Sequence, residues 1–278
     1  MSGTTRGGTW RGRLAVMAML LAGLLLLAPA PHPAAAETPV DVELVLAVDV
    51  SWSMDFDEQL LQRDGYVAAF RDPGVIAAIR NGLHGRIAVT YVEWAGTGLQ
   101  TVIAPWTVIE SEADGQRFAA MLEDVVPGKM SRTSISGAII AGEAMFEGNG
   151  FAGQRRVIDV SGDGPNNQGD PVILARDAAV ERGVTINGLP LILKEPDLQY
   201  SIRELDLYYE DCVIGGPAAF QITVRDPAEF ADAIRRKLIL EIAGREPKVH
   251  KASMSVRARE PRVDCMIGER LWRARQIP

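Results

Sequence analysis

Apolar runs alternate with helix-period segments along this chain. Val42 to Val50 (VELVLAVDV) is nearly continuous in apolar residues, the pattern of a strand covered on both faces. Residues 55–80 repeat apolar positions at helical spacing through Phe56, Leu60, Val67 and Phe70; Gly65 weakens that pattern and Pro73 divides it. Arg86 to Trp94 and Gln100 to Ile109 read as strands. The short glycine-containing link between them predicts a hairpin and therefore one antiparallel strand. Residues 113–126 and 135–147 read as helices, Arg156 to Val160 as a strand, 171–182 as a helix and Thr185 to Leu193 as a strand. An irregular stretch runs from Pro196 to Pro217, Phe220 to Val224 reads as a last strand, and 227–243 is an amphipathic helix opening on proline. This order predicts a doubly wound α/β fold: a mostly parallel sheet with one antiparallel edge strand and helices on both faces. From residue 245 the chain has no clear periodicity, and an extended or partly disordered tail is expected.

The first residues change the domain assignment. Arg6, Arg11 and Arg13 precede an apolar run from Leu14 to Ala30, and Ala34-Ala35-Ala36 supplies small residues for cleavage. That three-part pattern predicts a secretory signal over 1–36 and an exported, periplasmic or secreted protein with no stable membrane span after cleavage. A retained anchor is the alternative, because the run approaches the length of a span. The predicted organisation is a signal at 1–36, an α/β domain at 37–244 and a basic tail at 245–278. Charge supports the last division: the tail carries nine Lys or Arg against four Asp or Glu, whereas the body is strongly acidic. Cys212 and Cys265 are the two cysteines, and export makes a bond between them plausible; two unpaired thiols are the alternative.

The formal charge of −7 argues against nucleic acid as a partner. In an open α/β sheet ligands bind beyond the carboxyl ends of the strands. Asp49-Val50-Ser51-Trp52-Ser53 follows the first strand, and Ser161-Gly162-Asp163-Gly164 follows the fourth. Arg132-Thr133-Ser134-Ile135-Ser136-Gly137 precedes the helix at 135. Together they bring two carboxylates and several hydroxyls to one edge. Oxygen donors alone suit a hard divalent cation such as Mg²⁺, with Ca²⁺ or Mn²⁺ as alternatives, and not zinc. Direct ligation by one carboxylate and two or three neutral hydroxyls would leave a divalent ion under-neutralised and its octahedral shell incomplete, which invites an anionic group from a partner.

These pieces, D-x-S-x-S, Thr133 in a T-x-x-x-G-A-I context and Asp163 followed by glycine, resemble the metal-ion-dependent adhesion site of von Willebrand factor A-type domains. The resemblance covers about residues 40–244 and implies a Rossmann-like fold. The stretches VELVLAVDVSWSM, YVEWAG, RTSISGAI and RVIDVSGDGPNN are further similar to a family of exported bacterial proteins carrying this domain. Carried over residue by residue, Asp49, Ser51, Ser53, Thr133 and Asp163 would hold the metal, and the partner would be a protein that supplies a carboxylate. Ser134 is the alternative to Thr133, because many family members have T-x-T-G. Asp159 departs from an apolar strand and is expected to be a buried hydrogen-bonding residue, with a supporting role at the site as a further option. Trp52 is either a core residue or an exposed rim contact.

Three other readings stand beside this one. D-x-S-x-S taken alone is a common helix N-cap. A metal-assisted hydrolase is conceivable, yet Asp159 to Asp163 lacks the first glycine of a nucleophile elbow, and His84 and His250 make no triad. There is no phosphate loop around Gly128-Lys129. A structural or surface-binding protein acting through its basic tail is the remaining option. The expected function is a non-enzymatic binding module.

Overall fold

The computed structural model describes residues 1–4, 36–197, 201–244 and 261–275; the signal expected at 1–36 and the first part of the expected tail lie largely outside them. All elements belong to the unit spanning 37–278. Five strands, β1 (Thr38–Asp49), β2 (Ile87–Trp94), β3 (Gln100–Ile109), β4 (Phe151–Gly162) and β5 (Val184–Pro190), form one sheet in the order β3-β2-β1-β4-β5. β1 lies at the centre, parallel to β2 and β4, and ten of its twelve residues are buried, as its continuous apolar run requires. β5 is parallel to β4, while β3 is the antiparallel edge expected from the hairpin.

Helices cover both faces. On one side α1 (Phe56–Phe70), α2 (Pro73–Arg80), α3 (Glu112–Glu123) and α7 (Phe230–Ala243) enclose Leu44, Leu46, Phe70, Phe118 and Phe230. On the other, α4 (Ile135–Ala144), α5 (Val172–Glu181) and the turn α6 (Leu205–Tyr208) enclose Val45, Trp94, Ile139, Ile158 and Tyr208. The break at Pro73 is real: Asp55 opens α1 with a reciprocal cap involving Glu58, and Asp72 caps α2 with Pro73 at its first turn. Gly65 sits inside α1 because α7 crosses there; a Cβ would lie 2.6 Å from Ile234 Cδ1.

Three expectations are corrected. Phe220 to Val224 is not a strand of the sheet; it follows β5 through isolated bridges at Gln221 and Val224, since β5 ends at Pro190, which has no N–H to extend the ladder. The stretch 196–217 is less irregular than its sequence implies: α6 runs into a π-helical turn, Tyr209–Val213, that buries Tyr209 and Cys212. The tail is also not wholly extended, because α8 (Ile267–Ala274) is helical. Cys212 and Cys265 are disulfide-bonded, the paired one of the two arrangements open in the sequence.

Candidate metal site

The site grows from the carboxyl ends of β1 and β4. Asp49 ends β1 fully buried, and its Oδ1 accepts the Ser51 N–H at 2.7 Å. That turn aims the next residues across the sheet edge: Ser51 Oγ and Ser53 Oγ lie 3.0 Å apart, and Ser53 Oγ donates to Asp163 Oδ1 at 2.6 Å. Four of the five expected residues therefore form one continuous polar chain. None of them caps α1, whose cap is Asp55. The competing N-cap reading of D-x-S-x-S is thereby corrected.

The middle loop is sewn to both neighbours by backbone bonds. Met130 N–H donates to Val50 O, Ser134 N–H to Ala95 O, and Asn167 N–H to Thr133 O, at 2.8 to 3.0 Å. Asn167 Oδ1 also accepts the Thr133 N–H at 3.0 Å, and Asn166 Oδ1 accepts the Ser136 N–H at 3.0 Å. Thr133 then shares a cavity of about 340 Å³ with Ser51, Trp52, Ser53, Ser131, Arg132, Asn167 and Trp272. Ser134 does not line it; its Oγ accepts the Gly137 N–H as the N-cap of α4. Trp52 is 67% exposed and stands at the rim, not in the core.

Electrostatics mark the same place. Burial holds the Asp49 carboxyl well above the usual carboxylate range, and the charge of Asp163 adds to the rise. Burial likewise pushes Asp163 up to about 6, although its bond from Ser53 and the nearby Lys194 ammonium oppose the shift. Asp49 Oδ2 is buried with no hydrogen-bond partner, an arrangement that costs free energy unless a cation or donor meets it. An orphaned carboxylate oxygen, a second carboxylate beside it and three hydroxyls fit a hard divalent cation. Among the described residues no group of three or more His, Cys, Asp or Glu side chains stands ready to hold a metal.

Asp159 is away from this chain of contacts. It is buried on β4 and pairs with Lys237 Nζ at 2.6 Å on α7, as a buried hydrogen-bonding residue should. Sequence reading missed Asn166, Asn167, Arg132 and Trp272. The two asparagines were visible as a polar pair after Asp163-Gly164-Pro165, a place where side-chain amides commonly satisfy loop backbone. Trp272 carried no local signal, since only tertiary docking brings it to the cavity.

Solved structures with this fold include the pilus adhesin SpaC from Lactobacillus rhamnosus GG, at 13% identity and a TM-score of 0.54, matching 75% of this chain and 31% of that one. The von Willebrand factor type A protein from Catenulispora acidiphila matches 75% of this chain and 44% of its own at 14% identity and 0.51. Proximal thread matrix protein 1 from the mussel byssus matches 74% and 49% at 15% identity and 0.51. This chain thus spans less than half of each, and the likeness at such identities is one of fold, a von Willebrand A-type domain. A search of curated protein sequences returned no match. Residues 39–246, spanning all but the first residue of the sheet together with α7, match a family model, and the chain belongs to that family, described as Protein of unknown function (DUF1194).

Proposed function

We propose that this chain is an exported, non-enzymatic binding module that engages a protein partner through a divalent cation, Mg²⁺ before Mn²⁺ or Ca²⁺, held by Asp49, Ser51, Ser53, Thr133 and Asp163. The observation that carries the reading is the convergence of three loops on one cavity, with Ser51, Ser53 and Thr133 in its wall, Asp163 outside the wall but bonded to Ser53, and Asp49 Oδ2 buried without a hydrogen-bond partner. When bound, the cation would supply a Lewis-acidic centre that takes up a carboxylate from the partner. Asp49 and Asp163 bring the negative charge, and the three hydroxyls bring neutral oxygen donors. Two carboxylates at most neutralise a divalent ion, and five protein oxygens leave an octahedral shell one position short, which a partner's carboxylate can fill. The backbone ties from Val50, Ala95 and Asn167 hold the loops ready, so little ordering is needed at the moment of binding. Trp52 and Trp272 offer aromatic surface beside the cation, of the type enriched in binding hot spots. The export part rests on the pattern in residues 1–36, and the adhesive character of SpaC is in keeping with a partner-binding role.

Calorimetric titration of the mature chain with Mg²⁺ and Mn²⁺ tests the site. Wild type is expected to bind one ion, and a folded Asp49→Ala variant is expected to lose the heat of binding. Equal affinity in the two proteins would overturn the assignment.

A further inference from the structure

The C-terminal segment beyond the sheet is built into the candidate site. Residues 261–275 are fastened to the body at Cys265 by the bond to Cys212, with Cα atoms 5.6 Å apart, and at Arg262 by ion pairs to Asp211 and Glu210, both at 2.8 Å. Tyr208 joins the two sides: its hydroxyl accepts the Asn166 N–H at 3.1 Å and donates to Cys265 O at 3.5 Å. α8 then passes so close to the loop after β4 that a Cβ on Gly268 would collide with the Asn166 carbonyl oxygen. Next to it, Glu269 Oε1 accepts the Asn166 side-chain amide at 2.7 Å. That amide oxygen is the acceptor of the Ser136 N–H, and the following residue, Asn167, holds Thr133. One turn further, Trp272 lines the cavity, with the Arg132 guanidinium 3.6 Å from its ring centre. Arg132 sits at φ +74°, a backbone conformation that costs free energy in a residue with a side chain and that persists only where its surroundings enforce it.

α8 has eight residues, of which only Gly268 and Glu269 are buried. A helix of that length is not stable by itself in water, and exposed ion pairs such as those of Arg262 hold little. The covalent bond is the firm attachment. We propose that α8 is the wall and the positioning clamp of the metal site, Glu269 setting the Thr133 loop through Asn166 and Trp272 closing the cavity, and that both depend on the Cys212–Cys265 bond. The clamp stands on contacts independent of any ion; its bearing on binding rests on the function proposed above.

The experiment compares the mature chain oxidised, gently reduced, and as Glu269→Ala and Glu269→Gln with the disulfide intact. Two readouts are taken, amide hydrogen exchange at Thr133 and Ser136 without metal, and Mn²⁺ affinity by calorimetry. Reduction and Glu269→Ala are each expected to speed exchange at Ser136 and to weaken Mn²⁺ binding by about three- to tenfold, the range set by one hydrogen bond. Glu269→Gln, which keeps an acceptor for Asn166, is expected to retain both. Unchanged exchange in the Glu269→Ala protein overturns the clamp, as does an effect of Glu269→Gln equal to that of alanine. Faster exchange with undiminished Mn²⁺ affinity overturns its role in the site. Absence of Mn²⁺ binding in the oxidised wild type removes the metal reading alone, and exchange still decides the clamp.

Discussion

Thr133 and Ser134 are adjacent and chemically similar, and the fold separates their roles. Ser134 Oγ accepts the Gly137 N–H at the start of α4, while Thr133 lines the cavity with Ser51 and Ser53. Ser134→Ala is therefore expected to cost about 1 kcal/mol of stability, as loss of a cap does, and to leave ion affinity nearly unchanged. Thr133→Ala is expected to do the opposite, weakening Mn²⁺ binding by about tenfold or more with little change in stability. Calorimetry and thermal unfolding of both variants separate the two. Asp163 adds a pH dependence. Its pKa in the folded chain is about 6, above the ordinary 3.8. A carboxyl raised on folding favours the folded state below its unfolded value, and that contribution disappears as pH rises through the folded one. The metal-free chain should thus lose stability between about pH 4 and 6, and Mg²⁺ should restore it there. Glu241, pushed up to about 7 by burial and then by the charge of Asp159, adds a loss of the same sign that Mg²⁺ does not reverse. Thermal unfolding across this range, with and without Mg²⁺ and in Asp163→Asn, checks the assignment. A Mg²⁺ effect that survives intact in that variant would count against it.

At the scale of elements, α7 is held to the sheet by charge as well as by apolar packing. Lys237 is buried and pairs with Asp159 of β4 and with Glu241 one turn along its own helix. Asn187 of β5 donates to Glu241 at 3.0 Å, which spreads the network over two strands. Removing the cation leaves two buried carboxylates facing each other. Lys237→Met is expected to destabilise by about 3–5 kcal/mol, as breaking a buried pair does, and denaturant unfolding near neutral pH measures it. Asp159 was legible in sequence as an oddity in an apolar strand. Its partner was not, because Lys237 belongs to a helix 78 positions further along and its lysine reads as solvated surface in an amphipathic pattern. The segment 220–224 fails the reverse way: its β-type residues are local, whereas the absence of a continuous ladder beside Pro190 is not.

For the molecule as a whole, the disulfide joins residues 53 apart in sequence and ties the basic C-terminal segment to the acidic body. A thiol count on denatured protein from the exported fraction should find no free thiol before reduction and two after it. Reduction should lower stability by about 2–4 kcal/mol and make the segment after residue 244 more sensitive to protease, the more so at high salt, where the Arg262 ion pairs are screened. By itself the sequence determined the alternation of strands and helices, the antiparallel hairpin, and the loops that carry Asp49, Ser51, Ser53 and Asp163. Each of these is written in the period of neighbouring side chains or in residues a few positions apart, and the parallel α/β order then brings the loop ends to one edge of the sheet. Only the tertiary structure decided that Thr133 and not Ser134 lines the cavity, that Trp52 stands at the rim, and that Trp272 and Glu269 reach the loop after β4. Those outcomes depend on contacts between segments from tens to more than a hundred residues apart, where no local period distinguishes a docked surface from a solvated one.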